Sequence, residues 1–181
     1  MPTDIRRIVT GHDAQGRSNI TFQGPAPNFI DMAGWPGARI TDIWVTEETP
    51  ADNDGLVDRG ARPIQHDPAP SGTIFRVVEI PPEPGAELAL DMTALAAQIG
   101  SQNVSDENDR AKHPTMHVTD SIDYLMVMSG ELIMLMEDGE VLLRPGDCIV
   151  QRGTKHAWVN RSGKPCVMAA ILVDAKRAAR A

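Results

Sequence analysis

The chain of 181 residues contains two cysteines, few aromatic side chains and no long apolar run. Two thiols, Cys148 and Cys166, are too few for a disulfide framework, so we expect buried apolar thiols in a reducing, cytoplasmic compartment. The longest apolar run, 166–173, is much shorter than the roughly 20 residues that span a membrane, and the first residues contain no apolar signal core. These absences exclude a disulfide-stabilised scaffold and predict no membrane partner.

Positive charge is also scarce. Lys and Arg number 17 against 25 Asp and Glu, which gives a net charge of −8. Phosphate backbones and anionic lipid repel such a chain, so we expect neither nucleic acid nor a membrane surface as its partner. Hydrophobic residues make up 41% and charged residues 23% of the chain, which is sufficient for one folded core.

Several common catalytic motifs are absent from the sequence. It contains no glycine-rich phosphate loop, no Gly-x-Ser-x-Gly elbow, no His-Glu-x-x-His helix and no Cys-x-x-Cys pair. Nucleotide-dependent catalysis therefore has no support.

Turn signals recur at short, even spacing in the second half of the chain, as at Ser129-Gly130 and Asp138-Gly139. Short strands at this spacing are typical of an all-β sandwich or barrel. Several runs are apolar at both parities, which predicts burial on both faces and, together with the N-terminal strands, a homodimer. The predicted strands are Tyr124–Met128, Glu131–Glu137, Val141–Arg144, Cys148–Gln151, Ala157–Asn160 and Cys166–Asp174.

The first half is less regular. A hairpin is predicted at 5–10 and 18–22, and the segment 47–71, rich in Pro, Asp and Gly, reads as a long surface loop. A short helix is predicted over 91–99, with Asp91 or Thr93 as its N-cap. Further strands are predicted at Arg39–Thr46 and Thr73–Ile80. We divide the chain into N-terminal strands and loop (1–90), a helix and polar, mobile connector (91–112), a barrel core (113–175) and a tail (176–181).

Histidines provide the main chemical signal of the β-rich half. If the segment 117–123 is extended, His117, Thr119 and Asp123 point to the same side of the strand. His156 begins a later strand, which a barrel can bring opposite. Two imidazoles and one carboxylate with open positions are the ligand set of non-haem iron enzymes, and the set also suits Mn, Ni, Co or Zn.

Other donors are alternatives or are expected to be inert. Asp120 is a competing carboxylate, and His113 is a competing imidazole if Pro114 bends the chain inward. His12 and His66 fall in a predicted turn and in the Pro-rich loop, so we expect both to be exposed and without a role.

The segment that begins at His113 resembles the first motif of the cupin superfamily, which consists of small β-barrels that usually hold a divalent metal. That motif has two histidines separated by one residue, then a glutamate, then a glycine. Aligned on Gly130, the positions are occupied by His117, Thr119 and Asp123.

The second cupin motif has Gly-Asp, a strand, Pro-x-Gly, two residues, a histidine, three residues and an asparagine. Gly146, Gly153, His156 and Asn160 match it, while Gln151 stands where proline is usual. The resemblance covers residues 113–174.

The resemblance implies an all-β fold, the cupin-type double-stranded β-helix or jelly-roll barrel, with extra N-terminal strands and one short helix. It implies Fe, Mn, Ni, Co or Zn held by His117, Asp123 and His156, with Thr119 and Trp158 in a substrate pocket and no nameable catalytic residue. The expected function is a dioxygenase, decarboxylase, isomerase or lyase acting on a small organic acid, ketone or aromatic. The alternative is a non-catalytic binder of small molecules with a degenerate metal site.

Overall fold

The computed structural model describes residues 4–83, 92–101 and 107–177. Within these ranges the chain is mostly strand, with two short helices, α1 and α2. The elements in chain order are β1 Arg6–His12, β2 Ser18–Pro25, β3 Asn28–Asp31, β4 Arg39–Thr46, β5 Thr73–Ile80, α1 Met92–Gln98, α2 Glu107–Lys112, β6 Ser121–Ser129, β7 Leu132–Met136, β8 Glu140–Leu143, β9 Cys148–Arg152, β10 His156–Val159 and β11 Cys166–Asp174.

The strands form two facing sheets and a separate hairpin. A six-stranded sheet has the order β3-β4-β5-β11-β6-β9, and a three-stranded sheet has the order β10-β7-β8. All paired strands run antiparallel. The main core cluster joins Val127 and Met168 of the larger sheet to Leu132 and Met134 of the smaller one. The two sheets therefore pack face to face, as in a β-sandwich.

Alternation along the strands determines which side chains face the space between the sheets. In β6, Asp123 and Leu125 are buried, whereas Tyr124 and Met126 are exposed. The outer face of the larger sheet is also apolar, since Phe75, Ile171, Tyr124 and Val150 lie in one register row and are all exposed. The homodimer inferred from doubly apolar strands stays a prediction.

Most of the predicted strands are present. β4, β5 and β11 have the predicted bounds, the predicted N-terminal hairpin is β1 and β2, and 47–72 contains only turns and bends. The strand β3 was not predicted. The second helix, α2, falls in the polar stretch expected to be a mobile connector, so the prediction of a single helix was wrong.

The two cysteines differ in exposure. Cys148 is exposed and only Cys166 is buried, because β9 is an edge strand of the sheet and turns Cys148 outward. The candidate N-cap Asp91, the side chain of Thr93 and the tail residues 178–181 lie outside the described residues. None of the described helices is long and apolar enough to cross a membrane.

Gly130, the residue that anchors the first motif, connects β6 to β7 at a point of close backbone approach. Its φ is +76°, and a Cβ built there would lie 2.3 Å from the carbonyl oxygen of Pro165. Both the left-handed backbone and the contact require glycine.

We predict that Gly130→Ala lowers the free energy of unfolding by about 3 kcal/mol, since strain in the left-handed region adds to a backbone clash. Gly139→Ala is the matched control: its φ is +89°, but a Cβ there meets nothing within 4 Å. We expect that variant to lose only about 1 kcal/mol. Urea denaturation measures both, and equal losses would contradict the close approach at Gly130.

Candidate functional site

A cavity of about 180 Å³ lies between the two sheets. For comparison, an engineered apolar cavity of about 150 Å³ binds benzene. The cavity therefore suits one small molecule of about the size of a substituted ring. Its wall is predominantly apolar and includes Trp35, Ile40, Leu95, Ile99, Trp158 and Met168.

Two histidine rings lie side by side in this cavity. His117 and His156 form an isolated antiparallel bridge, with both backbone N–H···O=C hydrogen bonds at 2.9 Å. Residues directly opposite in an antiparallel pair project their side chains to the same face. The ring centroids are consequently 4.3 Å apart, with 51° between the ring planes. The indole of Trp158 meets the His156 ring edge-on, at 5.1 Å.

Both rings have close polar contacts at Nδ1. The Nδ1 atom of His117 lies 2.9 Å from the carbonyl oxygen of Thr115. A carbonyl only accepts, so Nδ1 carries the proton of the neutral ring and Nε2 has the lone pair. The Nδ1 atom of His156 lies 3.0 Å from the carbonyl oxygen of Thr154 and 2.6 Å from Nε2 of Gln151.

Burial keeps both imidazoles neutral near pH 7. Burial lowers the pKa of His117 well below its usual value of 6.5, and the neighbouring rings of His156 and His66 lower it further. Burial also lowers the pKa of His156 to about 4. An uncharged imidazole can accept a proton at one nitrogen and donate one from the other.

A buried carboxyl completes the polar part of the cavity. Asp123 is 5% exposed, and its Oδ1 lies 2.5 Å from the hydroxyl of Ser121, which in turn lies 2.8 Å from the hydroxyl of Thr119. Burial raises the pKa of Asp123 above its usual value, and the bond from Ser121 partly offsets that rise. Thr119 and Asp123 both line the cavity.

The two alternative ligands are not brought to the cavity. His113 contacts Glu83 through Nε2 at 2.7 Å and Thr115 through Nδ1 at 2.8 Å. Asp120 accepts a hydrogen bond from Arg177 at 3.0 Å. Neither His113 nor Asp120 is among the residues that line the cavity.

His66 is a site residue that the sequence reasoning missed. It was expected to be exposed, but it lines the cavity, and its ring lies 5.4 Å from that of His117. Its Nδ1 is 3.0 Å from Oδ1 of Asp67. A single histidine in a Pro-rich loop gives no local sign of this position.

A buried ion pair explains how the loop reaches the cavity. Arg76 of β5 contacts Asp42 of β4 at 3.0 Å, and its guanidinium also donates to the carbonyl oxygens of Gln65 and His66, at 2.6 and 3.4 Å. Asp42 and Arg76 are charged residues in mostly apolar strands, and this was the only sign in the sequence that the loop with His66 is anchored to the sheet.

The side chains present do not fit a resident divalent metal. In the ranges that the structure describes, no group of three or more His, Cys, Asp or Glu is placed to hold a metal ion. His117, Asp123 and His156 line one cavity, but Oδ1 of Asp123 already accepts a hydrogen bond from Ser121. In addition, the second histidine position of the first cupin motif holds Thr119, which is not a histidine. Their role as metal ligands stays a prediction.

The chain is similar to a known domain family and to known proteins. The family model of the cupin domain matches residues 108–173. A cupin-domain-containing oxidoreductase of Aspergillus ruber is 28% identical over 178 residues, which cover 94% of this chain and 72% of that protein. Residues 108–173 therefore form a cupin domain, and the fold is all-β, as predicted.

Two further comparisons give similar proteins. A phomopsin biosynthesis cluster protein of Diaporthe leptostromiformis is 29% identical over 86% of this chain and 70% of its own length. A crystal structure of a cupin 2 conserved barrel domain protein from Salinispora arenicola is 12% identical, with a TM-score of 0.36, over 57% of this chain and 64% of that one.

We predict that stability decreases as the pH falls from about 6.5 to 4. In this window the unfolded chain takes up a proton at His156, whereas the folded protein resists protonation until about pH 4. Since the raised pKa of Asp123 opposes this effect, the comparison is made with His156→Gln. The variant should lose about 2 kcal/mol less than the wild type between pH 7 and pH 4.5.

Chemical denaturation at several pH values measures the difference. His12→Gln, which removes an exposed imidazole, is measured beside it as the control for a histidine outside the cavity. Parallel curves for the wild type and His156→Gln would show that His156 is not buried in its neutral form.

Proposed function

We propose that the protein is an enzyme that moves a proton on a small, largely apolar carbonyl compound, in the manner of an isomerase or lyase. The observation that supports the proposal is the pair of neutral imidazoles, His117 and His156, side by side in a cavity whose wall is mostly apolar but also includes Arg76, Glu79 and Asp123. General acid–base catalysis needs groups of this kind within reach of the same bound molecule.

The proposed reaction uses one ring as a base and the other as an acid. An unprotonated ring nitrogen takes a proton from the carbon next to the carbonyl, so a C–H bond breaks and an N–H bond forms. The electron pair moves to the carbonyl oxygen, which receives the proton of the second ring and becomes an enol hydroxyl. In a β,γ-unsaturated ketone, the first ring returns its proton to the γ-carbon while the enol hydroxyl returns its proton to the second ring, which gives the conjugated isomer. If the β-carbon carries a leaving group, return of the enol proton to the second ring expels that group with its bonding pair, and it takes the proton held by the first ring, which gives the lyase product.

The apolar wall supports this chemistry. The indoles of Trp35 and Trp158 offer flat surfaces for a planar substrate, and an excess of water would solvate the base and weaken it. Asp123 also lines the cavity, and burial raises the pKa of its carboxyl.

Oxidation of the bound molecule is a second candidate function, favoured by the name of the Aspergillus ruber relative. It would require an electron acceptor, such as dioxygen, from solution. Cupin barrels commonly hold a metal that could supply this chemistry, but the donors described above do not fit one, so no step of the proposal uses it.

We predict that the protein catalyses exchange of the acidic C–H hydrogens of phenylacetone for solvent deuterium, measured by proton NMR. Phenylacetone is a small, apolar ketone suited to the cavity. His117→Gln and His156→Gln should each reduce the rate by about 100-fold, since a positioned acid or base contributes roughly 10²- to 10⁴-fold. His12→Gln, at the exposed end of β1, should retain the full rate.

The binder alternative has a distinct outcome in the same experiment. If phenylacetone quenches the fluorescence of the cavity tryptophans but its deuterium exchange is no faster than in buffer, the protein binds without catalysis. If both histidine variants exchange as fast as the wild type, proton transfer by this pair is refuted.

We predict that removal of metal leaves the exchange rate unchanged, because none of the steps uses a metal. Protein dialysed against a chelator and checked by elemental analysis is compared with protein supplied with one equivalent of Fe(II), Mn(II) or Zn(II). Loss of activity on chelation, with recovery on adding one of these ions, would restore the metal hypothesis for His117, Asp123 and His156.

A further inference from the structure

Gln151 is a buried polar residue that the proposed mechanism has not used. It lies on β9, directly opposite Asp123 of β6 in the register, and only 1% of its surface is exposed. A buried amide needs hydrogen-bond partners for both its oxygen and its nitrogen. The partners of Gln151 are Thr154 and His156.

The contacts with Thr154 fix the orientation of the amide. The hydroxyl of Thr154 donates to Oε1 of Gln151 at 2.6 Å, and Nε2 of Gln151 donates to the carbonyl oxygen of Thr154 at 2.6 Å. The reverse orientation would place the amide oxygen against that carbonyl oxygen, with no proton between them. The nitrogen of Gln151 is therefore the atom that faces His156.

This orientation constrains the proton of the His156 ring. Nε2 of Gln151 has a second hydrogen and lies 2.6 Å from Nδ1 of His156, closer than the carbonyl oxygen of Thr154 at 3.0 Å. An amide nitrogen does not accept hydrogen bonds, so a short contact between the two nitrogens requires Nδ1 to be the acceptor. The proton of neutral His156 is then on Nε2.

We infer that Gln151 is a positioning residue that holds His156 in the Nε2–H tautomer, opposite to the Nδ1–H tautomer of His117. Resting on the proposed function, this inference gives each ring one role. His156 offers a proton from Nε2, and His117 offers the lone pair of Nε2, so the pair acts on a ketone with an assigned acid and an assigned base.

The residue type at position 151 matters to the inference. In the motif that this segment resembles, proline is usual at that position, and a proline side chain has no donor. Control of the His156 tautomer by an amide is thus a feature of this chain's own sequence rather than of the barrel in general.

The tautomers can be read directly by long-range ¹H–¹⁵N NMR of the full chain at pH 7.5, with signals assigned from His117→Gln and His156→Gln. We expect the Nε2–H form for His156 and the Nδ1–H form for His117. In Gln151→Leu, His156 should change to Nδ1–H and donate to the carbonyl of Thr154. Gln151→Glu should do the same, since a carboxylate at 151 accepts from Nδ1–H.

The controls separate a tautomer change from a loss of structure. His117 should remain Nδ1–H in both Gln151 variants, which shows that its bond to Thr115 persists. Arg152→Gln alters the exposed neighbour on the same strand and should leave both tautomers unchanged. An Nδ1–H form of His156 in the wild type, or an Nε2–H form retained in both Gln151 variants, would overturn the inference.

Activity provides a second readout. Gln151→Leu should lower kcat for deuterium exchange of phenylacetone by about 10-fold or more, while KM changes less than about 2-fold, because an acid is lost and not a contact. A changed tautomer with unchanged kcat would refute the acid role of His156. A wild type with opposite tautomers but no exchange activity would refute the proposed function and leave the Gln151 assignment supported.

Discussion

The site depends on the backbone bridge between His117 and His156. Two N–H···O=C bonds at 2.9 Å make these residues direct neighbours, although 39 positions separate them in the sequence. Because opposed residues of an antiparallel pair project to one face, the bridge itself brings the rings within 4.3 Å. No flexible arm or added ion is needed to bring them together. Any change that separates these two backbone segments would separate the rings.

The second requirement is that polar groups remain paired in a mostly apolar cavity. Burying an unpaired polar group costs roughly 1–3 kcal/mol, and the structure avoids this cost with local partners. Thr115 holds His117, Gln151 holds His156, and Ser121 holds Asp123. These hydrogen bonds also restrict rotation of the rings. The same bonds therefore stabilise the fold and orient the reactive nitrogens.

Strand periodicity and turn residues were sufficient to predict much of the fold, and the motif spacing led to His117 and His156. The sequence could not show that His66 enters the cavity, since that position depends on Arg76 and Asp42 pairing across β4 and β5. The departures from the motifs at Thr119 and Gln151 could be read from the sequence. The roles of these two side chains could not be predicted, because the role of a hydroxyl or an amide depends on the atoms that surround it in the fold.

The proposed chemistry requires a bound molecule to lie between one ring that accepts a proton and one that donates it. A crystal structure of the protein with 4-nitrophenol, a flat oxyanion analogue of an enolate, tests this most directly. We expect the phenolate oxygen within hydrogen-bond distance of Nε2 of His156, with the aromatic ring against Trp158. A metal ion bound between the two imidazoles, or 4-nitrophenol bound only outside the cavity, would contradict it.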